Sequence, residues 1–479
     1  MSNSTDEESD VETAARRHLT ETEQQQKKRI EKNGRSTNPT TNGVLDTAEN
    51  SSQQRTKIYS RRYAMLTMFI LLSASNAMQW IEYSIIAHII HAYYNVEYTT
   101  VDWTSMIYML TYMILIFPGS WFLDKYGLRM SVMIGAFGNC FDCRLLPSFY
   151  FGIPPRLAAV WFGPEQVSTA CAAGVFGNQL GIAIGFILPP LLVHPGNKES
   201  ISFQLSLLFL ISAVVNSIIF IFIALFFAEK PPLPPSNAQM QAIDESREGD
   251  FGRSIKNLLK NGNYILLLIT YGINVGVFYA ISTLLSQMIL FYHEGAQKAT
   301  GTIGLLIVVS GMFGSVVCGY ILDKWHHFKM TTLIVYLFSF LGMIVFTFTL
   351  ARWPLWTIFI IAIALGFFMT GYLPLGFEFA AELTFPIAEG TTSGLLNGSA
   401  QAFGIAMTFG MGKVIHDLSI LWCNVIMSAL LFVGFILTAL IKSDLRRQNA
   451  HIRSTKNEEQ EENENNTRPT TSSSISIIN

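Results

Sequence analysis

Ten long apolar runs, separated by polar segments, constrain this chain more than any other feature. Each has about the 20 residues that an α-helix needs to cross the hydrocarbon core of a bilayer. Only 14% of the residues are charged, against about a quarter in soluble domains. The sequence therefore predicts an all-α, multi-pass membrane protein. The runs are Tyr63–Ile90, Val101–Leu123, Val167–Val193, Phe203–Phe227, Tyr264–Phe291, Gly301–Leu322, Met330–Leu350, Pro354–Phe377, Gly394–Val414 and Leu418–Ile441.

The polar segments divide the chain into domains. Lys and Arg residues concentrate before the first run, in the middle of the chain and after the last run. By the positive-inside rule these three segments are predicted to be cytoplasmic. Both ends have the composition of disordered tails. We predict a tail over 1–60, a first helix bundle over 61–228, a linker over 229–263, a second bundle over 264–443 and a second tail over 444–479.

Two short repeats relate the halves of the chain. Leu123–Tyr126 (LDKY) recurs as Leu322–Trp325 (LDKW), and Gly181–Ala183 (GIA) recurs as Gly404–Ala406. The offsets, 199 and 223 residues, differ by 24, so the first half lacks about one helix between its second and fifth spans. Two six-helix bundles in a pseudo-twofold arrangement, joined by a polar linker, are typical of the major facilitator fold. About eleven helices are then expected, with the region of spans three and four shortened. Chance similarity between membrane helices is the alternative.

The segment Gly119–Arg129 follows the second run and has the pattern G-x4-D-x2-G-x-R. Glycine in this pattern allows a tight turn, Asp124 can accept hydrogen bonds from helix N-terminal amides, and Arg129 can pair across helices. Asp323 lies at the equivalent position of the second half. We predict that Asp124, Arg129 and Asp323 form a latch that holds one conformation of the bundle. The alternative is an ordinary charged turn.

Five segments together resemble the FLVCR family of major facilitators, named after the feline leukaemia virus subgroup C receptor. The resemblance extends from Arg61 to Lys442. It implies facilitative transport of choline, and also of ethanolamine, by alternating access across a membrane, expected to be the plasma membrane. Haem export, an older attribution for some members, is the alternative within the same class. The segments are NAMQWIEYSII, VDWTSMIYMLTYMILIFPGSWFLDKYGLR, VWFGPEQVSTACAAGVFGNQLG, YGINVGVFYAISTLLSQM and EGTTSGLLNGSAQAFGIA.

The resemblance also implies a central aromatic cage for the choline headgroup, to which Trp80, Tyr279 and Gln401 contribute. Physical chemistry agrees, because a quaternary ammonium cannot donate strong hydrogen bonds and is best held by aromatic ring faces. Gln401 can accept a hydrogen bond from the ligand hydroxyl. Gln79 and Asn76, close to Trp80 in the sequence, complete the candidate substrate-binding set. Anchoring at the lipid interface or core packing is the alternative role for the two aromatic residues.

The family site also contains a fourth-span glutamine that has no counterpart in this chain. The sequence passes from GAFGNCFDC to FGIPPRLAAVWFG, where the family has most of a helix. Two interpretations are open. The gene sequence is incomplete and lacks an exon, or the chain is a true variant with a defective site.

Glu82 lies within the first apolar run, where a charge is unfavourable and usually faces a cavity or a partner. At helical spacing it is about 200° from Trp80 but close to Gln79. Three roles remain open. Glu82 is protonated and structural, it supplies counter-charge to a cationic substrate, or it couples transport to protons.

Other functional classes have little support. The net charge of −2 and the scattered Lys and Arg residues give no basic face for nucleic acid. No nucleophile–base set, phosphate loop or metal-ligand cluster appears, so neither an enzyme nor a cofactor is expected. A non-transporting receptor or truncated regulatory isoform is favoured only by the missing helix. The predicted partners are a small amine, or haem under the alternative, and the lipid bilayer, and no protein partner is indicated.

Overall fold

The computed structural model describes residues 58–140, 153–163, 166–233, 251–325, 327–385, 387, 389–442 and 446, which belong to one compact unit. No β-strand occurs within these residues. The helices are α1 Arg61–Ile85, α2 Ala87–Tyr94, α3 Tyr98–Cys140, α4 Ile153–Trp161, α5 Val167–Leu192, α6 Lys198–Phe226, α7 Phe251–Lys260, α8 Gly262–Tyr292, α9 Gln297–Trp325, α10 Phe328–Thr349, α11 Leu355–Thr384, α12 Glu389–Asp417 and α13 Ile420–Leu440.

Eight of the described helices are long and apolar enough to cross a membrane: α1, α5, α6, α8, α9, α10, α11 and α13. They coincide with eight of the ten predicted runs, which confirms an all-α membrane protein. The other two runs lie within α3, which is charged near its middle, and α12, which is rich in Gly, Ser and Thr. The expected set of about eleven spans is therefore only partly visible.

A turn at Gly127 divides α3 into two helices. Gly127 has φ 85° and ψ 176°, a backbone conformation that residues with a side chain rarely adopt. Arg129, just beyond the turn, donates from Nη2 to the carbonyl oxygen of Ala224 in α6 at 3.2 Å. Glycine thus makes the turn that the G-x4-D-x2-G-x-R pattern predicted, and Arg129 pairs across helices with a backbone group.

Helix α4 occupies the shortened region. Its nine residues extend only about 14 Å, less than half of the roughly 30 Å of a hydrocarbon core. Leu157 and Trp161 are buried in the same apolar core as Met65 and Phe69 of α1. The region between spans three and four is therefore represented by a half-length helix, while residues 141–152 lie outside the described part of the chain.

Three glycines of α5 at four-residue spacing, Gly177, Gly181 and Gly185, pack against α1. A Cβ atom added to Gly181 would overlap the carbonyl group of Ala74, and one added to Gly177 would lie 3.0 Å from the carbonyl oxygen of Ile70. Small residues allow such close approach between membrane helices. This contact fixes the position of α1.

The buried apolar residues that the structure describes form two cores. We call the end where α1 begins and α13 finishes the tail end, and the end where α2 finishes and α9 begins the loop end. At the loop end one core contains Ile85 and Phe186 of the first half with Leu284 and Ile303 of the second. At the tail end the first half has a separate core of its own, from Met65 to Phe227. The core that the two halves share therefore takes its first-half residues from the loop end.

The predicted domain boundaries stay predictions. The tails, 1–60 and 444–479, fall outside the described residues except for 58–60 and 446. Helix α7 lies within the predicted linker, whose polar composition gave no indication of it.

Candidate functional site

Trp80 and Tyr279 meet between the two halves of the bundle. Their ring centroids are 5.2 Å apart and the ring planes make an angle of 71°, an edge-to-face contact. Trp80 belongs to α1 and is only 4% exposed, and Tyr279 belongs to α8 and is partly buried. The indole Nε1 of Trp80 has no hydrogen-bond partner among the described residues. An aromatic surface shared by both halves thus lies in the interior.

Gln401 completes this arrangement from a third helix, α12. Its amide nitrogen donates to the Tyr279 hydroxyl at 3.4 Å, a long and weak bond. That bond leaves the carbonyl oxygen of Gln401 to accept from another group. The structure therefore brings together Trp80, Tyr279 and Gln401, the three residues that the family resemblance placed in the cage.

Two further residues adjoin the site on its tail side and were not predicted. Asn397 of α12 donates from Nδ2 to the hydroxyl of Tyr112 in α3 at 3.0 Å, a bond between the halves. Asn397 and Gln401 are one helical turn apart and so share a face of α12. That spacing, a polar residue four before Gln401, was the signal in the sequence. Tyr112 lies three residues after Met109, whose Sδ is 2.9 Å from the Cβ position of Gly404.

The chemistry of the site is aromatic and uncharged. Trp80 and Tyr279 offer π faces, while Gln401 offers an amide. Such a set suits an organic cation with an apolar surface, because ring faces attract the cation without having to accept hydrogen bonds. Trp80 and Gln401 are both more than nine-tenths buried.

Asn76 and Gln79 make their contacts elsewhere, with the end of α3. Asn76 Nδ2 donates to Asn139 Oδ1 at 3.0 Å, and Gln79 Nε2 donates to the Asn139 carbonyl at 3.2 Å. Asn139 in turn donates to Asn216 Oδ1 at 2.8 Å. A substrate-binding role for Asn76 and Gln79 stays a prediction.

The remaining predicted residues lie apart from the three site residues. Glu82, in α1, is 2% exposed, and its role stays a prediction. Asp124 and Asp323 belong to α3 and α9, but their side chains fall outside what the structure describes. Of the predicted latch, only the bond of Arg129 to α6 is visible, and the latch itself stays a prediction.

Polar contacts between the halves also occur at the loop end, and sequence reasoning missed them. Gln287 of α8 donates to Asp102 of α3 at 2.9 Å, and Asp102 is 2% exposed. Gln297 of α9 donates to the Val193 carbonyl, at the end of α5, at 2.8 Å. These hydrogen bonds add to the apolar packing that closes the loop end.

Comparison with known proteins identifies the family. The profile of the Major Facilitator Superfamily matches residues 145–409. The choline/ethanolamine transporter flvcr2b of Danio rerio is 48% identical over 420 residues, which cover 83% of this chain and 87% of the relative. The chain belongs to the FLVCR family of the major facilitator superfamily. Its relatives include the choline/ethanolamine transporter FLVCR1 of Felis catus, 46% identical over 84% of this chain and 77% of the relative. An uncharacterized MFS-type transporter of Caenorhabditis elegans is 53% identical over 82% of this chain and 71% of the relative.

Solved structures confirm the fold of this FLVCR-family chain. A bacterial homologue of the lysosomal transporter Spinster matches with a TM-score of 0.61 at 13% identity, covering 82% of this chain and 99% of that protein. A D-xylose–proton symporter matches with a TM-score of 0.60 at 11% identity, and the match covers 81% of this chain and 99% of that protein. The chain is a multi-pass membrane transporter with the major facilitator fold, as the sequence predicted.

Proposed function

We propose that this FLVCR-family chain transports choline, and also ethanolamine, as a facilitative uniporter. The observation that carries the proposal is the contact of Trp80 with Tyr279, because it joins the two halves at an aromatic, uncharged site. A desolvated cation over an aromatic ring gains up to about 2 kcal/mol. The Gln401 carbonyl can accept a hydrogen bond from the hydroxyl that choline and ethanolamine share. The names of the Danio rerio and Felis catus relatives support the same substrates.

Alternating access is supported by the division of the apolar core. At the loop end the first half shares a core with the second, whereas at the tail end the first half has a core of its own. In a rocking-bundle transporter such a state opens the central site toward the tails. Arg61 and Lys442 lie at the tail end, so we place this end and both termini in the cytoplasm. We therefore infer an inward-facing state, and we place the chain in the plasma membrane.

Uniport follows from the uncharged character of the site. Trp80, Tyr279 and Gln401 carry no ionisable carboxylate, so binding of the amine there requires no coupled proton or sodium ion.

A second candidate function has one observation in its favour. Within the described residues, the shortened region contributes only the nine-residue α4, which is less than a full fourth span. A chain of this kind would act as a non-transporting isoform that modulates a complete partner or as a receptor.

Uptake of labelled choline tests both candidates. Cells would express the chain as it stands or with a full-length fourth span restored, each also as Trp80→Ala. Trp353→Ala is the matched control, because Trp353 is 52% exposed beyond the end of α10. We expect saturable uptake that Trp80→Ala abolishes and Trp353→Ala preserves, at equal surface expression. Uptake only after restoration of the fourth span would support the non-transporting isoform, and uptake by neither chain would contradict choline transport.

A further inference from the structure

A second cavity lies at the tail end of the second half, separate from the amine site. Its volume is about 630 Å³, within the usual range for ligand sites of about 300–1,000 Å³. It lies where α7 meets the start of α8, beside the end of α11. Lys260, Asn257, Thr384 and Arg446 are among the residues that line it. Neither the family resemblance nor the proposed transport cycle assigns it a ligand.

Two of the described side chains that line the cavity are cationic. They are Lys260 and Arg446, and the other described residues of the lining are uncharged. Glu382 lies two residues before Thr384 but is buried, at 6% exposure, and is not part of the lining. Lysine and arginine together bind phosphate groups well, lysine as a point charge and arginine through its planar fork of donors. The lining therefore favours a phosphorylated anion.

The cavity also has apolar walls, which favour a lipid over free phosphate. Leu258, Phe385 and Ile387 contribute to the lining. Phe385 is 41% exposed, and Leu259, next to the cavity on α7, is 55% exposed. A soluble phosphate would gain nothing from this apolar surface, whereas the acyl chains of a lipid would cover it.

Helix α7 has the character of a helix that lies along a membrane surface. Leu258 is fully buried, whereas Lys256, Leu259 and Lys260 are exposed. Helices with a basic polar face and apolar residues on the other side bind at the level of the lipid headgroups. Because α7 directly precedes the spanning helix α8, the cavity lies at the depth where headgroups are found.

The cavity adjoins elements that carry the amine site. Asn261, at its edge, donates from Nδ2 to the Leu383 carbonyl of α11 at 3.1 Å. Tyr264, in the first turn of α8, donates to the Thr392 carbonyl of α12 at 2.8 Å. Helices α8 and α12 carry Tyr279 and Gln401. A ligand held between α7 and α11 is thus in structural contact with the helices that form the transport site.

We propose that this cavity binds the phosphorylated headgroup of an acidic phospholipid. Lys260 and Arg446 contact the phosphates, and the half-exposed Leu259 and Phe385 face the acyl chains. Anionic lipids are concentrated in the cytoplasmic leaflet, which agrees with the proposed cytoplasmic position of the tail end. Binding itself does not depend on which substrate the amine site transports.

The test is a titration of the purified full-length chain with dioctanoyl phosphatidylinositol bisphosphate, with the thermal unfolding midpoint as the readout. We expect a saturable rise in the midpoint. Lys260→Gln and Arg446→Gln should each raise the apparent Kd about tenfold, the loss expected for one charge-assisted contact. Lys256→Gln removes an exposed charge from the same helix outside the cavity and should leave the Kd unchanged. Dioctanoyl phosphatidylcholine should produce no saturable rise.

Three results would overturn the proposal. The first is the absence of a saturable rise in the unfolding midpoint. The second is equal weakening of binding by Lys256→Gln, which would indicate diffuse surface charge. The third is equal affinity for soluble inositol trisphosphate, which would identify the ligand as a free phosphate compound instead of a lipid. Unfolding midpoints without ligand check that each variant is folded, and Lys260→Arg should retain binding. Trp80→Ala should bind the lipid like the unchanged chain, so failure of choline transport would not affect this result.

Discussion

The rings of Trp80 and Tyr279 meet edge to face at 5.2 Å between centroids, with one ring contributed by each half of the transporter. A contact across the moving interface cannot stay the same when the halves rock apart. The contacts of a ligand bound there therefore differ between the states of the bundle, as alternating access requires.

The ring of Tyr279 should matter more than its hydroxyl. Tyr279→Phe keeps the aromatic face and loses only the long bond from Gln401, so we expect a change in the KM for choline of about threefold or less. Tyr279→Ala removes the face and should reduce uptake about thirtyfold, corresponding to about 2 kcal/mol. Initial rates of labelled choline uptake over a range of concentrations measure both. Equal losses in the two variants would show that the hydroxyl, and not the ring, carries the interaction.

The bond between Asn397 and Tyr112 should hold the Gln401 face of α12 in place. Tyr112→Phe and Asn397→Val each remove it, and each should raise the KM for choline by about threefold to tenfold. The double variant should be no worse than the more impaired single variant, because both remove the same contact. The comparison of all four KM values is a double-mutant cycle. Additive effects would mean that the two side chains act separately.

The bond between Gln287 and Asp102 should keep the loop end closed. Gln287→Ala leaves a buried carboxylate without this donor, so we expect the loop end to open more often. The reporter is Gly412→Cys, whose side chain would lie 3.4 Å from Asp102 Oδ2. Labelling of this cysteine by a membrane-impermeant thiol reagent should become about tenfold faster in Gln287→Ala.

Gln204 provides the matched control for this labelling experiment. It also lies at the loop end, but it accepts from the His194 amide and donates to the Ser200 hydroxyl, both in the first half. Gln204→Ala should leave the labelling rate unchanged. An increase of the same size in both variants would contradict a specific role for Gln287 and Asp102.

Gly181 should tolerate no side chain. Its added Cβ would overlap the Ala74 carbonyl, so Gly181→Ala forces α1 away from α5. This should lower the free energy of unfolding by about 1–3 kcal/mol. A lower thermal midpoint of the purified protein and lower surface expression are expected. Gly398→Ala is the control, because nothing lies within 4 Å of its Cβ position, and it should be neutral or slightly stabilising. An equal loss of stability in both variants would show that helix propensity or expression, and not packing, causes the effect.

Glu82→Gln should preserve choline uptake. The prediction takes Glu82 as protonated and structural, because it is 2% exposed within an apolar helix and lies about 200° around that helix from Trp80. Uptake should also be unaffected by a protonophore, in the parent and in Glu82→Gln alike. Loss of uptake in Glu82→Gln would favour the counter-charge role, and sensitivity of the parent alone to the protonophore would favour proton coupling.

Much of the fold was predictable because the length and hydropathy of a segment identify it as a spanning helix. Glycines at four-residue spacing allow close helix packing, and Gly177, Gly181 and Gly185 lie against α1. Gly394 and Gly398 have the same spacing, yet nothing lies within 4 Å of a Cβ added to Gly398, and a Cβ added to Gly394 would meet only Ile116, at 3.7 Å. Small residues permit close approach but do not require it.

The site was predictable only in part. Resemblance to a family identified Trp80, Tyr279 and Gln401, whereas apolar periodicity alone would have assigned the rings to packing. The pairs Tyr112–Asn397 and Asp102–Gln287 depend on the depth and rotation of helices from opposite halves, which no local pattern specifies. Asn76 and Gln79 of α1 contact Asn139 of α3, so their surroundings also depend on how two helices pack.

Equilibrium binding of labelled choline to the purified chain isolates the Trp80–Tyr279 site from the transport cycle. We expect saturable binding that unlabelled choline displaces, with Trp80→Ala weakening it about thirtyfold and Trp353→Ala leaving it unchanged. Saturable binding that is equally strong in Trp80→Ala would contradict the assignment of the Trp80–Tyr279 contact as the choline site.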